Sequence, residues 1–307
     1  MAMRFVKVLI LTLLFLIVVA ASFLIYTYKS IPKIDSRISV LILGTGGEGH
    51  TAPDLTDTMM QIVFDNSSKK TRVISIPRDI WIPEIRAKLN TAYHYGGYKM
   101  ADDSVASVTS IPVNYNILIN FTVFKDLIDS IGGIEVDVEN SFVDEKYPIA
   151  GLENDLCGGD KTFSCRYEKL VINSGRQTMN GELALKFVRS RNSKSEEGTD
   201  IAREKRQQKV INAIKERVLS SQVLLNPKAI ENLYSVTLSN VKSDMDRESL
   251  LVLSKFIFES NFNINYIGLP EDMLLVSQNN IKYDKQYVFL PKTGSWKNIQ
   301  EWIHSKI

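Results

Sequence analysis

The sequence predicts an α/β domain that is built in layers and preceded by one transmembrane helix. Two observations lead to this prediction: a long uncharged apolar stretch lies near the N-terminus, and runs typical of strands alternate with helical spacing after it. The 307 residues are 44% hydrophobic and 23% charged, which is typical of a folded chain and not of a disordered one. A chain of this size can bury its core as one large domain or two smaller ones.

The charge balance and the few metal-binding side chains exclude two classes of protein. Lys and Arg number 37 and Asp and Glu number 35, so the formal charge is only +2. A non-specific nucleic-acid binder needs a strongly basic domain, and we therefore expect no nucleic-acid partner. Two cysteines and three histidines do not supply the ligands of a zinc-finger array.

Residues 8–26 form the apolar stretch, which is 19 residues long and uncharged. As a helix it would measure about 29 Å at about 1.5 Å per residue, enough to cross the hydrocarbon core of a bilayer. It is longer than the apolar part of a usual signal peptide, so we expect an uncleaved anchor, with a cleaved signal peptide as the alternative. Residues 1–7 would be a short tail and residues 27–37 a polar stalk. Positive residues flank the stretch almost equally, which leaves its orientation open at this point.

The elements after the stalk are predicted from apolar patterns and turn signals. A helical spacing covers residues 121–131 and stops at a Gly-Gly pair, and a long helix is expected from Asp200, as its N-cap, to about residue 220. From about residue 226 onward, helical and strand-like segments continue without a chemically distinctive cluster. Strands are predicted at residues 38–43, 58–64, 72–76 and 134–138.

Cys157 and Cys165 lie eight residues apart in a stretch rich in glycine and aspartate, which indicates a surface loop. In an oxidising compartment this pair would close a small disulfide loop. In the cytosol the two side chains would be free thiols, so the state of the pair depends on which side of the membrane the domain occupies.

Familiar catalytic motifs do not explain the chain. The sequence has no GxSxG, HExxH or Walker A motif. A glycine-rich segment at residues 44–49 follows the first predicted strand, and a phosphate-cradling loop and a flexible surface loop remain alternatives for it. The clearest chemical signal is therefore the pattern of arginines.

Residues 186–217 contain ten Lys and Arg and five acidic residues. Arg203 and Gln207 would be neighbours on a helix, and an extended backbone would place Arg189 and Arg191 on the same side. Arg78 follows a predicted strand directly, where binding groups are commonly mounted. Guanidinium groups match phosphate oxygens, so several converging arginines would suit a polyphosphate, whereas any single one can be a solvated surface charge.

These motifs, in this order, resemble the LytR–CpsA–Psr family of cell-envelope phosphotransferases over roughly residues 38–220. The family's layout also places a single N-terminal anchor before an outward-facing domain. The matching segments are LILG at 41–44, LTDTMM at 55–60, SIPRDIWIP at 75–83, KLNTAYHYGG at 88–97, FKDLIDSIGGIEVDV at 124–138, GRQTMNGELALKFVRSR at 175–191 and TDIAREKRQQKVINAIKE at 199–216.

The resemblance implies an αβα layered sandwich with a central mixed sheet and a transfer reaction. The donor would be a glycopolymer linked to a polyprenyl-diphosphate carrier, and the acceptor a sugar hydroxyl of peptidoglycan or a related cell-wall glycan. A hydrolase of lipid-linked diphosphates and a non-catalytic envelope-binding or regulatory module are the alternatives. The catalytic residues implied are Arg78, Asp79, Arg189, Arg191 and Arg203, and the substrate-binding residues are Lys88, Asp200 and Gln207.

The resemblance also implies Mg²⁺ or Mn²⁺, with Asp57 as the main ligand and Asp54 as its helper. Two departures bear on this cofactor: members of the family carry an Asp and an Arg where this sequence has Gly46 and Leu55. The metal site is therefore either rebuilt around Asp57 or weakened. Asp79 and Asp57 are the candidates for the base that deprotonates the acceptor.

The layout gives the expected organisation of the whole chain. Residues 38–220 would be the catalytic domain and residues 221–307 a C-terminal part packed on it. We expect a single-pass protein of the cell membrane, with a cytoplasmic N-terminus and the catalytic domain outside, where the cysteines would be oxidised.

Overall fold

The computed structural model describes residues 26–34 and 36–307, except for the side chain of Asp200. Residues 8–25 of the predicted anchor lie outside the described residues. In the part of the chain that is described, every helix is too short or too polar to cross a membrane.

Strands and helices alternate along the described chain, which begins with helical residues 26–30. The strands are β1 (Arg37–Thr45), β2 (Thr56–Asp65), β3 (Lys70–Ser75), β4 (Trp81–Ile82), β5 (Ala87–Lys88), β6 (Tyr115–Asn120), β7 (Ile134–Val138), β8 (Phe142–Pro148), β9 (Tyr167–Ile172), β10 (Gly175–Met179), β11 (Lys242–Ser243), β12 (Ile264–Gly268), β13 (Leu274–Ser277) and β14 (Val288–Pro291). The α-helices that follow are α1 (Ala92–Thr109), α2 (Phe121–Ser130), α3 (Gly181–Arg189), α4 (Asp200–Val218), α5 (Ser221–Leu224), α6 (Pro227–Asn240), α7 (Arg247–Glu259) and α8 (Lys297–Lys306).

A six-stranded mixed sheet forms the centre of the domain, in the order β11-β6-β1-β2-β3-β12. Strand β1 runs antiparallel to β2 and parallel to β6, and β3 runs antiparallel to β2 and parallel to β12. The predicted α/β class and the central mixed sheet are therefore confirmed. All four strands predicted from the sequence are present, with small shifts at their ends.

The two faces of the sheet are covered by different helices, because successive side chains of a strand point to opposite faces. Leu41 and Leu43 of β1 lie in a buried cluster with residues of α1 and α8. Val40, which precedes Leu41 and points to the other face, lies in a second cluster with Phe256 and other residues of α7. This arrangement gives the domain its helix–sheet–helix layers.

A third apolar cluster lies beside the central sheet and supports the helices that carry the basic residues. It joins α2, α3, α4 and the small sheet of β7 and β10, with Phe187 of α3 fully buried. Asn120 caps the N-terminus of helix α2, and its Oδ1 accepts a hydrogen bond from the Val123 amide. Helix α4 also has a side-chain cap, but the capping residue is Thr199 rather than the predicted Asp200: Thr199 Oγ1 accepts from the Ala202 amide at 3.2 Å.

The C-terminal part contributes two strands to the central sheet. Strand β12 forms one edge of the sheet, and β11 forms the other edge. Residues 221–307 thus complete the sheet that residues 38–220 begin. The segment predicted as a stalk also packs against the domain, since Ile34 is buried in the cluster that contains Phe256.

Candidate functional site

A cleft with a volume of about 880 Å³ lies where β2 begins and β3 and β12 end. The first turn of α4 forms one wall, and the β13–β14 hairpin forms another. The hairpin is tied to the opposite wall because the Phe289 amide donates to the Asp79 carbonyl at 3.0 Å. The predicted residues that line the cleft are Asp57, Arg78, Asp79, Lys88, Arg191, Arg203 and Gln207.

Arg78 is the centre of a charged network on the β3 side of the cleft. It lies just after the strand, and its Nη1 contacts the Asp57 carboxylate. Its Nε lies 3.4 Å from Asp79 Oδ2, while Asp79 Oδ1 accepts a hydrogen bond from Lys88 Nζ at 2.7 Å. Burial lowers the pKa of Arg78, but the carboxylates of Asp57 and Asp79 outweigh burial and raise it above the ordinary value. Arg78 is therefore a permanent cation in the cleft.

Helix α4 presents Arg203 and Gln207 to the cleft, as the four-residue spacing predicts. Gln207 Nε2 lies 3.5 Å from Thr58 Oγ1 of β2, which joins the helix to the strand. Gly198 and Thr199, just before the helix, also line the cleft. Because the N-terminus of a helix carries partial positive charge and unsatisfied N–H groups, this wall favours a bound anion.

Arg189 and Arg191 diverge, and the predicted extended backbone at this point is wrong. Residues up to Arg189 belong to α3, and the chain leaves the helix at Ser190. Arg191 lines the cleft. The Arg189 guanidinium instead lies 4.0 Å from the centre of the Phe121 ring, and its Nη1 is 3.4 Å from Tyr147 Oη. The structure thus brings Arg191 together with Arg78 and Arg203, and holds Arg189 against aromatic side chains outside the cleft lining.

Two charged residues that the sequence analysis missed hold the segment that carries Arg191. Asp144, fully buried within β8, accepts hydrogen bonds from Ser190 Oγ at 2.7 Å and from the Arg191 and Asn192 amides at 3.3 and 3.2 Å. Arg206 donates from Nε to the Phe187 carbonyl at 2.9 Å and from Nη2 to the Ser190 carbonyl. These carbonyls end α3 and would otherwise lack donors.

Arg206 had a detectable sequence signal, whereas Asp144 had none. Arg206 shares an inward helical stripe with Val210 and Ala213, which are both buried. Burial lowers the pKa of Arg206, and an ion pair with Glu197 at 2.9 Å partly offsets this effect. A lone aspartate in the alternating strand β8 does not reveal that it faces inward.

Glu204 is a further cleft residue that the sequence analysis did not assign. Burial raises its pKa, and Glu271 adds repulsion of like charge, while hydrogen bonds from Gln208 and Ser75 oppose the shift. A carboxyl with a raised pKa accepts protons more readily than its ordinary counterpart. Glu204 therefore joins Asp57 and Asp79 among the carboxylates that could take a proton in this cleft.

The two predicted metal ligands are separated. Asp57 lies in the cleft, with its side chain 40% exposed. Asp54 lies outside the cleft lining, and its Oδ2 is 3.9 Å from His94 Nδ1. The place of the family's loop carboxylate is also filled, because a Cβ on Gly46 would lie 3.0 Å from the Cβ of His50. The side chain of Asp200, predicted to bind substrate, lies outside the described part of the chain.

The predicted disulfide is confirmed. Cys157 and Cys165 are bonded, with their Cα atoms 5.5 Å apart. Together they close the loop between β8 and β9. Within the segment that the disulfide closes, the Asp160 carboxylate accepts hydrogen bonds from Thr162 and Ser164.

Comparisons with known proteins agree with this architecture. A model of the LytR_cpsA_psr family matches residues 24–303. The polyisoprenyl-teichoic acid–peptidoglycan teichoic acid transferase TagU of Enterococcus faecalis is 30% identical over 218 residues, which cover 69% of this chain and 63% of that protein. TagT of Bacillus subtilis, whose descriptive name is the same, is 28% identical over 226 residues, which cover 71% of this chain and 63% of that protein.

The fold is shared with solved structures. The crystal structure of B. subtilis TagV superposes with a TM-score of 0.63 at 21% identity, covering 89% of this chain and 97% of that one. The match with the two sequence relatives spans about 63% of their length.

Proposed function

The chain belongs to the LytR–CpsA–Psr family, and we propose that it transfers a glycopolymer phosphate from a polyprenyl-diphosphate carrier to a sugar hydroxyl of the cell wall. One observation carries the proposal: Arg78, Arg191 and Arg203, which are far apart in the sequence, line a single cleft beside Lys88 and Gln207. The names of the TagU and TagT relatives describe a polyisoprenyl-linked teichoic acid as donor and peptidoglycan as acceptor. They support the same classes of donor and acceptor here.

The diphosphate would bind between the wall of Arg78 and the wall of α4. Arginine forks bind phosphate oxygens in pairs, and the α4 N-terminus adds favourable partial charge. Lys88, already 2.7 Å from Asp79, would hold the network in place while Arg78 contacts the ligand. Arg189 lies outside the cleft lining and would act indirectly, by holding the C-terminal end of α3, from which the chain continues to Arg191.

The reaction is an in-line substitution at phosphorus. The acceptor hydroxyl oxygen forms a bond to the phosphorus of the glycan phosphate, the bond to the bridging oxygen breaks, and polyprenyl phosphate leaves. The hydroxyl proton passes to a carboxylate, for which Asp57, Asp79 and Glu204 are the candidates lining the cleft. Fixed cations that face the leaving phosphate stabilise the charge that develops there, which is the main task of a phosphoryl-transfer site.

A divalent cation, Mg²⁺ or Mn²⁺, is part of this proposal. The residues present fit it, but with fewer protein ligands than the family's pattern provides. The cleft lining contains four cationic and four acidic side chains, so a bound diphosphate would leave it short of positive charge. Mg²⁺ is commonly held by one or two carboxylates together with phosphate oxygens and water. Asp57 would supply the protein ligand. When bound, the ion would neutralise charge on the diphosphate.

We also propose that residues 8–26 anchor the protein in the cell membrane, with the N-terminus in the cytoplasm and the catalytic domain outside. The uncharged apolar stretch supports the anchor. The Cys157–Cys165 bond supports the outward side, because disulfides persist in oxidising compartments.

A transfer assay with the full chain in lipid vesicles tests the proposal. The substrate is a glycan linked to polyprenyl diphosphate, supplied with and without a cell-wall glycan acceptor. A glycan–acceptor product supports the transferase. Release of glycan phosphate with water alone would identify a hydrolase, and binding without either product would identify a non-catalytic module. Arg203→Ala should abolish most of the product, whereas the exposed neighbour Lys205→Ala serves as the matched control.

A further inference from the structure

The segment that follows the proposed anchor is fixed to the C-terminal end of α7. The Tyr28 ring packs edge-on against Phe258 at 6.3 Å between centroids, and Tyr28 Oη donates to Glu259 at 3.4 Å. The buried Lys255 donates from Nζ to the Ile31 carbonyl at 2.6 Å. The chain therefore leaves the domain at one defined place on its surface, and not through a free linker.

Apolar side chains are exposed around this place. On α7, Leu251 is 55% exposed and Phe258 is 63% exposed, and Tyr26 is 72% exposed just before the fixed segment. Leu251 and Phe258 lie on one stripe, because seven residues make about two helical turns. The inward side of the same helix is buried in the core through Phe256, so the exposed stripe is not needed to hold α7 on the sheet.

The composition of this surface is that of a membrane interface. Aromatic rings and lysines concentrate at the level of the lipid headgroups, where each keeps an apolar part in the lipid and a polar part in water. Tyr26 is the last residue of the apolar stretch, and the exposed Lys29 and Lys33 follow it. Tyr28 is two positions after Tyr26, a distance of about 7 Å at most along the chain, so Phe258 lies close to the end of the anchor.

We propose that the α7 face, formed by Tyr26, Lys29, Leu250, Leu251 and Phe258, rests on the bilayer that holds the anchor. The occupant of this face is the lipid surface itself, with apolar side chains at the level of the acyl–headgroup boundary. The domain then lies on its side on the membrane instead of standing away from it. This inference rests on the proposed anchor and is independent of the transfer reaction.

Spin labels on the full chain in lipid nanodiscs test this contact. The two native cysteines are bonded to each other, so a single introduced cysteine can be labelled selectively. Labels at Leu251→Cys and Phe258→Cys are compared with labels at Leu275→Cys and Val171→Cys, apolar positions of similar exposure on other surfaces, at 50% and 51%. A label at Ser22→Cys reports whether the anchor is inserted.

The α7 labels should be accessible to oxygen and protected from a water-soluble nickel complex, as the Ser22 label should be, while both control labels react with nickel. In a Leu251→Ser/Phe258→Ser background, the ratio of docked to undocked molecules, read from a label at Leu250→Cys, should fall by about tenfold or more as apolar burial is removed.

The outcomes separate the proposals. Nickel-accessible α7 labels with an inserted Ser22 label would overturn the α7 contact and leave the anchor intact. An exposed Ser22 label would overturn both. Loss of transfer activity in nanodiscs whose α7 labels are protected would count against the reaction alone.

Discussion

Arg203 and Arg206 lie three residues apart on α4, yet they occupy opposite environments. The cleft side of α4 presents Arg203 and Gln207 to a space large enough for a ligand. The inner side holds Arg206, only 3% exposed, against backbone carbonyls and Glu197. The same type of side chain thus lines a cleft in one position and holds the fold in the other, and only the first is proposed to bind a ligand. Substitutions on the two sides should therefore separate loss of activity from loss of stability.

The largest effect is expected from the inner side. Arg206→Ala removes the donors of the Phe187 and Ser190 carbonyls and leaves Glu197 without its buried partner. Breaking a buried pair in this way costs about 3–5 kcal/mol of the free energy of unfolding. Chemical unfolding in detergent micelles, followed by tryptophan fluorescence, measures it. Lys205→Ala, on the exposed side of the same helix, should stay within about 0.5 kcal/mol. Equal losses for the two variants would remove the distinction between the sides.

A substitution of Asp57, on the wall opposite α4, tests the proposed metal site. Asp57→Ala should lower turnover by about a hundredfold or more, because a charge-stabilising ion loses its protein ligand. Binding of Mn²⁺ in the presence of inorganic pyrophosphate, measured by electron paramagnetic resonance, should weaken in parallel. Asp54→Ala is the matched control, since Asp54 faces His94 outside the cleft lining. Unchanged Mn²⁺ binding in Asp57→Ala would contradict the proposed ligand.

The cleft side of α4 should respond in activity and not in stability. A charge-assisted hydrogen bond is worth about 1.5–3 kcal/mol, so Arg191→Ala and Arg203→Ala should each reduce turnover by about ten- to a hundredfold. Arg189→Ala sharpens the comparison, because its guanidinium lies over Phe121. We expect a smaller loss of turnover there than for Arg191→Ala. A larger loss in Arg189→Ala would show that Arg189 leaves Phe121 to bind the ligand.

The smallest effect concerns Asp102 of α1, a partly buried carboxylate that accepts a hydrogen bond from the neutral amide of Asn116. Burial raises the pKa of Asp102 to about 6; its hydrogen bond with Asn116 opposes this shift, and the carboxylate of Asp244 adds to it. Since the pKa is raised on folding, its contribution to stability is full below about pH 4 and is lost as the pH rises through about 6. Asp102→Asn should therefore stabilise the fold by about 1 kcal/mol at pH 7.5, after allowance for solvent screening, and not at pH 4.

Unfolding at the two pH values measures this difference. The exposed Asp103→Asn, one residue away on α1, is the control and should show no such dependence on pH. A gain for Asp102→Asn that is the same at both pH values would mean that its carboxyl is not the cause.

Local patterns predicted much of the fold and of the cleft. Strands β1, β2 and β3 follow from short apolar runs, and Arg78 and Arg203 could be placed because a strand end and a helical spacing are local features. The pairing of β12 with β3 could not be predicted, since the two strands are far apart in the sequence and no local signal specifies which strands pair.

The differences at the site have physical causes of the same kind. Residues 187–191 were expected to be extended from the alternation of two arginines, but the buried Ala184, Phe187 and Val188 continue the helical period to Arg189. Asp54 lies against His94 of helix α1, outside the cleft lining, which its spacing of three residues from Asp57 does not reveal. Tertiary contacts decided both cases.

Strand β1 sets a distance that matters for the lipid. It begins at Arg37, next to the segment fixed on α7, and ends at Thr45, beside the start of β2 where Asp57 lies. Nine residues at about 3.3 Å each make this span about 30 Å, close to the thickness of the hydrocarbon core of a bilayer. If the strand is perpendicular to the membrane, the carrier's diphosphate has to move that distance away from the headgroups to reach the cleft. If the strand is parallel to the membrane, the diphosphate reaches the cleft by moving along the membrane surface. The tilt of the domain then governs how easily the carrier is reached.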